Sequence, residues 1–389
     1  MNRWALACWL VLALTAAAPA GTFYVAADGK PDNDGSRDRP WPSVELALAR
    51  AGGGHTVVVR PGVYRGPVRV SRAYAGTREH PTVIRSEVKW GAVILGAPQH
   101  AVYTADGCDW CAVEGFEVLG ARGDGIKLSG DHDAVRDCWV HHNGCMGVAM
   151  HGRRGGVIER NLIEFNGGHP QLHHGVYASG EGLVIRRNVV RHNAAYGLHL
   201  YPSVTGSVIA LNLVHGHANK AGLILACPAG GGRNVVVNNT IADNAGGVEI
   251  WQGDGEVVAN NVIVGRGEAL WWDGATRSVR ADYNLCIPRS PRQGAHGVTG
   301  DPLFVDPARG VYWLRPDSPA AGKGGAEYAP DADFWGRPAK KGGPVDLGCF
   351  ALVPSLAEPQ ARSRWHLGYA YRFRPGGPQD MPDLWAPPK

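Results

Sequence analysis

The stretch that decides the fold reads NVVRHNAAYGLHLYPSVTGSVIALNLVHGHANKAGLIL and occupies residues 188–225. One short element occurs in it twice, an asparagine followed by apolar residues, first at Asn188 and again at Asn212. A second element also occurs twice, a glycine followed by alternating apolar residues, at Gly197 and Gly222. Recurrence of two short elements at nearly the same interval is typical of a solenoid, in which each repeat packs on the next.

The repeat extends beyond this stretch in both directions. The asparagine element begins at Asn161, Asn188, Asn212, Asn239, Asn261 and Asn284. The glycine element begins at Gly125, Gly147, Gly175, Gly197, Gly222 and Gly247. A third apolar segment, such as Val235-Val236-Val237, completes each copy. Three short strands cannot bury an apolar face alone, so we expect successive turns to stack as parallel ladders about 4.8 Å apart. The pattern predicts an all-β, single-stranded parallel β-helix, with asparagine amides that bond along its axis.

Residues 1–20 have the composition of a secretory signal peptide. Arg3 provides a positive charge, residues 4–18 are apolar, and Ala18-Pro19-Ala20 provides small residues for cleavage. We therefore expect an exported protein, periplasmic or extracellular, without a membrane span. Of the eight cysteines, Cys8 lies in this segment. The other seven cysteines are an odd number, and their spacing does not determine a disulfide pairing.

The remainder of the chain is expected to form one solenoid with covered ends. Its parts are an N-terminal cap with the first turns, the repeats, a C-terminal cap and a Pro-rich tail: residues 21–100, 101–300, 301–350 and 351–389. Ser43 can N-cap a short amphipathic helix over Val44–Ala51, which would cover the first turn. The net charge of +4 gives no basis for nucleic-acid binding. We expect a monomer.

Both ends of the repeat region resemble one family. The N-terminal motifs are FYVAADG, RPWPS and VVVRPGVY, at residues 23–29, 39–43 and 57–64. The C-terminal motifs are DPLF, DSPA and VDLG, at residues 301–304, 317–320 and 345–348. In these segments the chain resembles bacterial right-handed parallel β-helix proteins of the pectate-lyase-like superfamily. That resemblance implies a right-handed solenoid. It leaves the function open among polysaccharide lyases, uronate epimerases, glycoside hydrolases and non-catalytic binding proteins.

Three features that this family uses for catalysis are missing or incomplete. The chain lacks the aspartate-rich strand ends of a calcium-dependent pectate lyase and the grouped aspartates of a polygalacturonase. Asp131-His132-Asp133 only loosely resembles the motif of alginate epimerases and falls at a turn. Asp32-Asn33-Asp34-Gly35 lacks the spacing of a calcium loop. We therefore assign no cofactor and no metal ligand. Calcium binding stays an open alternative, with no clear site in the sequence.

Side chains alternate along a strand, so the positions between the inward apolar residues of the glycine element point outward. One outward column is Lys127, Ala149, Tyr177, His199, Ile224 and Glu249. A second column, two residues further along, is Ser129, His151, Ser179, Tyr201, Ala226 and Trp251. The loops before these strands add His141, His142, His169, His173, His174, His192, His215, His217 and Lys220. We expect these residues to line a carbohydrate-binding groove, with residues 167–174 as one wall.

This groove contains the groups that a uronate lyase or epimerase needs. Either enzyme removes the proton at C5 of a uronic acid, neutralises the adjacent carboxylate and supplies a proton elsewhere. We predict His199 as the base and Tyr177 as the acid, with His174 and Lys220 around the carboxylate, although these roles can be exchanged. The predicted substrate-binding residues are Lys127, His151, His173, Tyr201, Glu249 and Trp251. The expected partner is an acidic polysaccharide.

Two other functions stay open. A glycoside hydrolase needs two carboxylates about 5–10 Å apart. Glu249 is the best groove carboxylate, and Asp254 or Asp273 is its nearest candidate partner. A non-catalytic glycan-binding or surface protein would need the groove but no acid or base.

Overall fold

The computed structural model describes residues 20–152, 154–338, 343 and 345–352, which form three long parallel sheets wound into a β-solenoid. Each turn contributes one strand from the valine-rich segment, one from the asparagine element and one from the glycine element. The sheets are named here after these segments. The signal peptide lies outside the described residues except for Ala20, and so does the predicted tail from residue 353 onward.

The strands of each sheet follow one another along the solenoid axis. The valine-rich sheet comprises Thr22–Val25, Thr56–Val59, Thr82–Ser86, Cys111–Glu114, Ala134–Arg136, Val157–Glu159, Val184–Arg186, Val208–Ala210, Val235–Val237, Val257–Ala259 and Arg280–Asp282. The Asn-led sheet comprises Gly62–Arg65, Ala92–Ala97, Glu117–Ala121, Trp139–His141, Leu162–Glu164, Val189–Arg191, Leu213–His215, Thr240–Asn244, Val262–Gly265 and Leu285–Ile287. The Gly-led sheet comprises Val68–Val70, Val102–Thr104, Ile126–Leu128, Val148–Met150, Val176–Glu181, Leu198–Thr205, Ala221–Ala226, Gly246–Trp251 and Leu270–Trp272.

Inward apolar side chains from all three sheets form one continuous core. In the Gly-led sheet, Leu198 pairs with Leu223 and Leu200 with Leu225, and all four side chains are buried. Packing one turn on the next removes each apolar face from water, which is the main stabilising term of such a fold. The predicted all-β parallel solenoid is therefore confirmed.

The asparagines of the repeat form a buried ladder at the corner between the valine-rich and Asn-led sheets. Asn212 Oδ1 accepts hydrogen bonds from the backbone N–H and side-chain amide of Asn188, at 3.1 and 3.0 Å. The Asn212 amide in turn donates to Asn239 Oδ1 and to the Ile185 carbonyl, both at 2.9 Å. The corner thus satisfies its buried polar groups from turn to turn, and the structural reading of these asparagines is confirmed.

A second ladder, not anticipated from the sequence, runs along the corner between the Asn-led and Gly-led sheets. Its members are Asn143, Asn166, Asn193, His217 and Asn244. His217 replaces an asparagine in it: Nδ1 lies 2.8 Å from Asn244 Oδ1, and Nε2 lies 3.3 Å from Asn193 Nδ2. The corner marked by this ladder separates side chains of the groove from those of the Asn-led sheet.

A short helix covers the N-terminal end, as predicted. It spans Val44–Ala51, and the Ser43 hydroxyl accepts a hydrogen bond from the Leu46 N–H at 3.2 Å. Val44, Ala47 and Leu48 are buried in the main core. The apolar face of the helix therefore takes the place of a missing turn.

The segment predicted as the C-terminal cap packs along the side of the solenoid. It contains an antiparallel pair, Phe304–Asp306 and Val311–Leu314. Short 3-10 turns lie at Pro307–Arg309 and Ala326–Tyr328, and another occurs early in the chain at Arg72–Tyr74. Its apolar side chains bury outward residues of the Asn-led sheet in a second core: Val311, Tyr312, Trp313, Phe334, Trp335 and Phe350 against Leu162, Val189 and Leu213. This second core therefore does not cover the outer face of the Gly-led sheet.

The seven described cysteines are all unpaired, and all but Cys145 are buried. Burial raises the pKa of Cys138 and of Cys349 to about 12, which keeps both thiols protonated. These residues therefore behave as small apolar core side chains.

Candidate active site

The outward column of the Gly-led sheet has the predicted register. Strand pairing aligns its members as Lys127, Ala149, Tyr177, His199, Ile224 and Glu249. The same register extends the column to Arg69 and Tyr103 at one end and to Trp271 at the other. Because neighbouring parallel strands are about 4.8 Å apart, these side chains form a continuous strip along the solenoid axis.

His199 is the centre of an aromatic cluster in this strip. Its ring is stacked with those of Tyr177, Tyr196 and Tyr201, at centroid distances of 5.1, 4.9 and 5.4 Å. The His174 ring approaches it edge-on, with centroids 4.0 Å apart. His199 Nδ1 is buried and has no hydrogen-bond partner among the residues that the structure describes. The imidazole is thus held firmly while one nitrogen stays uncommitted.

Both histidines of the cluster are neutral near pH 7. Burial, together with repulsion by the Lys220 charge, lowers the pKa of His199 to about 4. Burial and the neighbouring His199 lower the pKa of His174 to about 3. His174 is only 3% exposed, and its Nδ1 accepts a hydrogen bond from the Tyr196 N–H at 3.3 Å. His174 therefore lies beneath His199 rather than on the open surface.

Tyr196 is a member of the cluster that sequence reasoning missed. Its hydroxyl donates a hydrogen bond to Glu249 Oε2 at 3.1 Å, and Lys220 Nζ lies 5.5 Å from its ring centroid. Burial and the nearby Glu249 raise the pKa of Tyr196, so the hydroxyl keeps its proton. Tyr196 directly precedes Gly197, just as His174 directly precedes Gly175. That shared offset is the signal that could have identified it.

Glu249 joins the cluster to an aromatic pair. It accepts a hydrogen bond from the Tyr196 hydroxyl, and burial raises its pKa. Trp251 is 44% exposed, and its ring centroid lies 5.2 Å from that of Trp271, which pairs with Glu249 in the strand ladder. Glu249 therefore lies between Tyr196 and the end of the column that carries the aromatic pair.

The two candidate carboxylate partners of Glu249 differ in their surroundings. Asp273 Oδ1 accepts hydrogen bonds from the Thr276 hydroxyl and N–H, at 2.6 and 2.9 Å. Burial opposes ionisation of Asp273, but the hydrogen bonds from Thr276 and Gln252 outweigh it and lower its pKa. Asp254 belongs to a backbone bridge between Gly232 and Arg277 at the turn after the strand. The Asp273 carboxylate is therefore engaged in hydrogen bonds within its own turn.

The remaining predicted ligand residues lie along the same strip. The His151 ring is 5.0 Å from that of Tyr177, and burial and the Lys127 charge lower the pKa of His151. Tyr201 is 45% exposed beside His199. His173 Nδ1 accepts hydrogen bonds from the N–H groups of residues 168 and 169, both at 3.1 Å, so it shapes the insertion at residues 167–174.

Five of the histidines expected near the groove lie elsewhere, and that expectation is corrected here. His141 and His215 are on the Asn-led sheet, where His141 contacts Glu117 and His215 contacts Tyr312. His142 and His192 stack on the two faces of Phe165, and His217 belongs to the second ladder. The reason is the bend of the backbone at that ladder. In each turn of the solenoid, only the residues after the ladder position point toward the groove.

The other acidic motifs have structural surroundings. Asp133 is buried and accepts hydrogen bonds from the N–H groups of Cys111 and Gly130, at 2.8 and 3.0 Å. Burial raises the pKa of Asp133 to about 7. Asp34 accepts a hydrogen bond from the Ser36 N–H within its own turn. Across the described ranges, no three metal-ligating side chains come together, and no helix has the length and apolar character to cross a membrane.

Known proteins share this repeat and this fold. A family model described as the right-handed β-helix region matches residues 75–227 and 174–287, more than half of the chain. Pectate lyase PEL9 of Emericella nidulans is 35% identical over 88 residues, which are 23% of this chain and 22% of that protein. The chain therefore spans less than a quarter of that relative's length.

Two solved structures share the fold at low identity. The crystal structure of pectate lyase Pel9A superposes with a TM-score of 0.58 at 16% identity, covering 86% of this chain and 96% of that one. A structure described as a glycoside hydrolase superposes with a TM-score of 0.51 at 10% identity, covering 68% of this chain and 93% of that one.

Proposed function

The chain belongs to the right-handed β-helix family, and we propose that its Gly-led sheet carries the active site of a secreted polysaccharide lyase acting on a uronic-acid-containing polymer. The names of its relatives, among them two pectate lyases, are consistent with this activity. The observation that carries the proposal is the cluster around His199. A neutral imidazole lies there with its ring stacked on that of Tyr177 from the neighbouring strand, and the Lys220 ammonium group of the next turn is close enough to lower its pKa.

His199 is assigned the role of base. With a pKa of about 4 it is unprotonated at neutral pH, as proton abstraction requires. Such a pKa also makes the free imidazole a weak base. A bound uronate carboxylate would place a negative charge beside it, offset the repulsion from Lys220 and raise the pKa of His199 when substrate is present.

Tyr177 is assigned the role of acid. It occupies the same outward column as His199, one turn away, and burial raises its pKa, so the phenol is protonated when substrate binds. In the elimination, His199 takes the C5 proton, electrons form the C4–C5 double bond, and the C4–O bond breaks. Tyr177 gives its proton to the leaving oxygen, which becomes the hydroxyl of the second product.

Lys220 is assigned to the substrate carboxylate, where negative charge develops in the transition state. His174, first expected to share this role, is neutral and lies under His199. We therefore assign to it the orientation of the base. Lys127, His151, His173, Tyr201, Glu249 and Trp251 stay assigned to binding of the flanking sugars.

Elimination is preferred to epimerisation at C5. Epimerisation needs a proton donor on the opposite face of the sugar from the base. His199 and Tyr177 both project from the same sheet, so a sugar resting on it meets the two groups on one face. A hydrolase is less well supported, because Glu249 is hydrogen-bonded to the Tyr196 hydroxyl and Asp273 accepts hydrogen bonds within its own turn.

Product analysis tests the proposal. Purified protein is incubated with homopolymers and heteropolymers of uronic acids, and with neutral glycans. A lyase releases an unsaturated uronate that absorbs ultraviolet light. An epimerase changes the C5 configuration without chain cleavage, a hydrolase produces reducing ends without the absorbance, and a binding protein produces neither. Any of the last three outcomes would contradict the proposal.

Active-site variants provide the matched comparison. His199→Gln and Tyr177→Phe should each lower turnover about a hundredfold or more, the usual effect of losing an acid or base. Their melting temperatures should fall by only a few degrees, because neither side chain belongs to the inward apolar core. His296→Gln, which alters a 60% exposed side chain far along the chain, should keep full activity.

A further inference from the structure

We propose that Trp251 and Trp271 form a subsite for a neutral sugar, so that the substrate is a heteropolysaccharide in which neutral sugars accompany the uronate. The assignment of the uronate rests on the proposed function, whereas the neutral-sugar subsite stands on the geometry of the two tryptophans.

The two indoles form an open aromatic corner at the C-terminal end of the groove. Their ring centroids are 5.2 Å apart and their planes meet at 52°. Trp271 continues the outward column directly after Glu249. The neighbouring Trp272 pairs with the inward Ile250 and packs against the main core, with the Arg292 guanidinium over its ring. Core packing thus accounts for Trp272 and leaves the other two indoles facing the groove.

Trp251 is held in place before any ligand arrives. Its ring packs against that of Trp271 at a centroid distance of 5.2 Å, at the end of the strand Gly246–Trp251. Ala226, the residue paired with Trp251 in the preceding turn, is small and buried, so no large side chain of that position competes for the indole face. The indole therefore presents a flat face that a second ring supports. Such a face suits the apolar side of a pyranose ring, and its binding requires little further ordering.

The charges around this corner argue against a second uronate there. Glu249 pairs with Trp271 in the strand ladder, and the Asp273 carboxylate accepts hydrogen bonds from the N–H of Gln252, the residue after Trp251, at 3.2 and 3.3 Å. A sugar carboxylate would meet these acidic groups at close range. The basic side chains of the column, Arg69 and Lys127, are at its opposite end. Lys220 lies over the Tyr196 ring, where the proposed function assigns it to the uronate, and Arg292 lies over Trp272. The column itself therefore has its cations at one end and its carboxylate, Glu249, next to the aromatic corner.

The spacing of the turns places this subsite within one oligosaccharide of the base. His199 and Glu249 are two turns apart, about 10 Å along the axis. Between them the floor is the buried Ile224, which offers no charge. One sugar ring per turn is a close match in length, so a single chain can present a uronate at His199 and a neutral sugar at Trp251.

Polysaccharide binding with tryptophan variants tests the subsite. The His199→Gln protein is used as the background, so that bound polymers stay intact during affinity measurements. The probes are polygalacturonate, which is a homopolyuronate, and three heteropolymers: the rhamnogalacturonan backbone, gellan and glucuronoxylan. We expect at least one heteropolymer to bind more tightly than polygalacturonate. Trp251→Ala and Trp271→Ala should each weaken its binding about tenfold, the scale of a lost aromatic contact. Affinity for polygalacturonate should change less than twofold.

Trp110→Ala is the control. It removes a half-buried indole that is stacked on His132, directly before the strand Cys111–Glu114 of the valine-rich sheet and far from the aromatic corner. It should change neither affinity. Tighter binding of polygalacturonate than of every heteropolymer, or equal losses for both polymer types in the tryptophan variants, would overturn the subsite. If the wild type cleaves a uronate polymer while both variants bind normally, the subsite fails and the lyase stands. If no polymer is cleaved but the variants lose heteropolymer binding selectively, the lyase fails and the subsite stands.

Discussion

The Tyr196 hydroxyl donates a 3.1 Å hydrogen bond to Glu249 Oε2 across two turns of the solenoid. Tyr196 is stacked on His199 at one end of this contact, and Glu249 pairs with Trp271 at the other. A single pair thus connects the candidate base with the exposed aromatic corner. Groups that are separated along the chain are held in one geometry before substrate binds, which lowers the ordering cost of binding.

Tyr196→Phe tests this connection. The variant keeps the ring beside His199 but removes the donor to Glu249, so the contact between the base and the aromatic end of the groove is lost. We expect the KM for a cleaved polymer to rise roughly tenfold, with kcat within about threefold of wild type, because the base and acid are untouched. Steady-state kinetics measures both constants. Tyr328→Phe is a matched control, since Tyr328 lies in the lateral segment and contacts Tyr283. A loss confined to kcat would show that Tyr196 acts on the chemical step instead.

Lys220→Met tests the cause of the low His199 pKa. Burial is the larger cause and the Lys220 charge the second, so removal of the charge should raise the pKa of His199 above about 4 without restoring its ordinary value. Titration of the histidine ring signals by NMR measures this without any substrate. Lys323→Met, which removes an exposed lysine of the lateral segment, should leave the value unchanged. An unchanged pKa in Lys220→Met would mean that the two side chains are farther apart in solution.

His217→Asn tests the second ladder. Burial lowers the pKa of His217 to about 4, below the roughly 6.5 of an unfolded histidine, so the unfolded chain binds the proton more readily. Its contribution to stability is therefore complete above about pH 6.5 and declines as the pH falls toward 4. Asparagine completes the ladder and does not titrate. The variant should lose less free energy of unfolding between pH 7 and 4 than wild type, by up to roughly 3 kcal/mol. Denaturant titrations at several pH values measure this, and His80→Asn, at a partly exposed position outside the ladder, should behave as wild type. A variant with the same acid sensitivity as wild type would remove His217 from the explanation.

Asn212→Ala tests the first ladder. The change removes the acceptor used by the backbone and side-chain amides of Asn188, and the donor to Asn239 and to the Ile185 carbonyl. Since each buried group left without a partner costs about 1–3 kcal/mol, we expect a loss of about 3 kcal/mol or more. Thermal and chemical unfolding measure it. Asn219→Ala, at an exposed loop position, should cost less than about 1 kcal/mol. A similarly small loss for Asn212→Ala would show that the corner relaxes or admits water.

The sequence by itself determined the solenoid, the outward column and the helix over Val44–Ala51. These follow from local rules. The repeat interval sets the turn, alternation along a strand separates Tyr177 and His199 from the inward leucines, and Ser43 supplies the cap. A one-residue change in register would exchange the two faces, so the alternating pattern fixes which side chains reach the groove.

Only the tertiary structure decided which loop side chains join that column. His174 and Tyr196 follow a corner of the backbone and reach the groove, whereas His192 and His215 precede it and do not. The corner is formed by side-chain amides and the His217 ring, which bond between turns, and its position depends on contacts between residues 22 to 30 apart along the chain. The hydrogen bond of Tyr196 to Glu249 and the low pKa values of the buried histidines arise in the same way. They depend on what neighbouring turns place around a side chain, and no local pattern of residues specifies that.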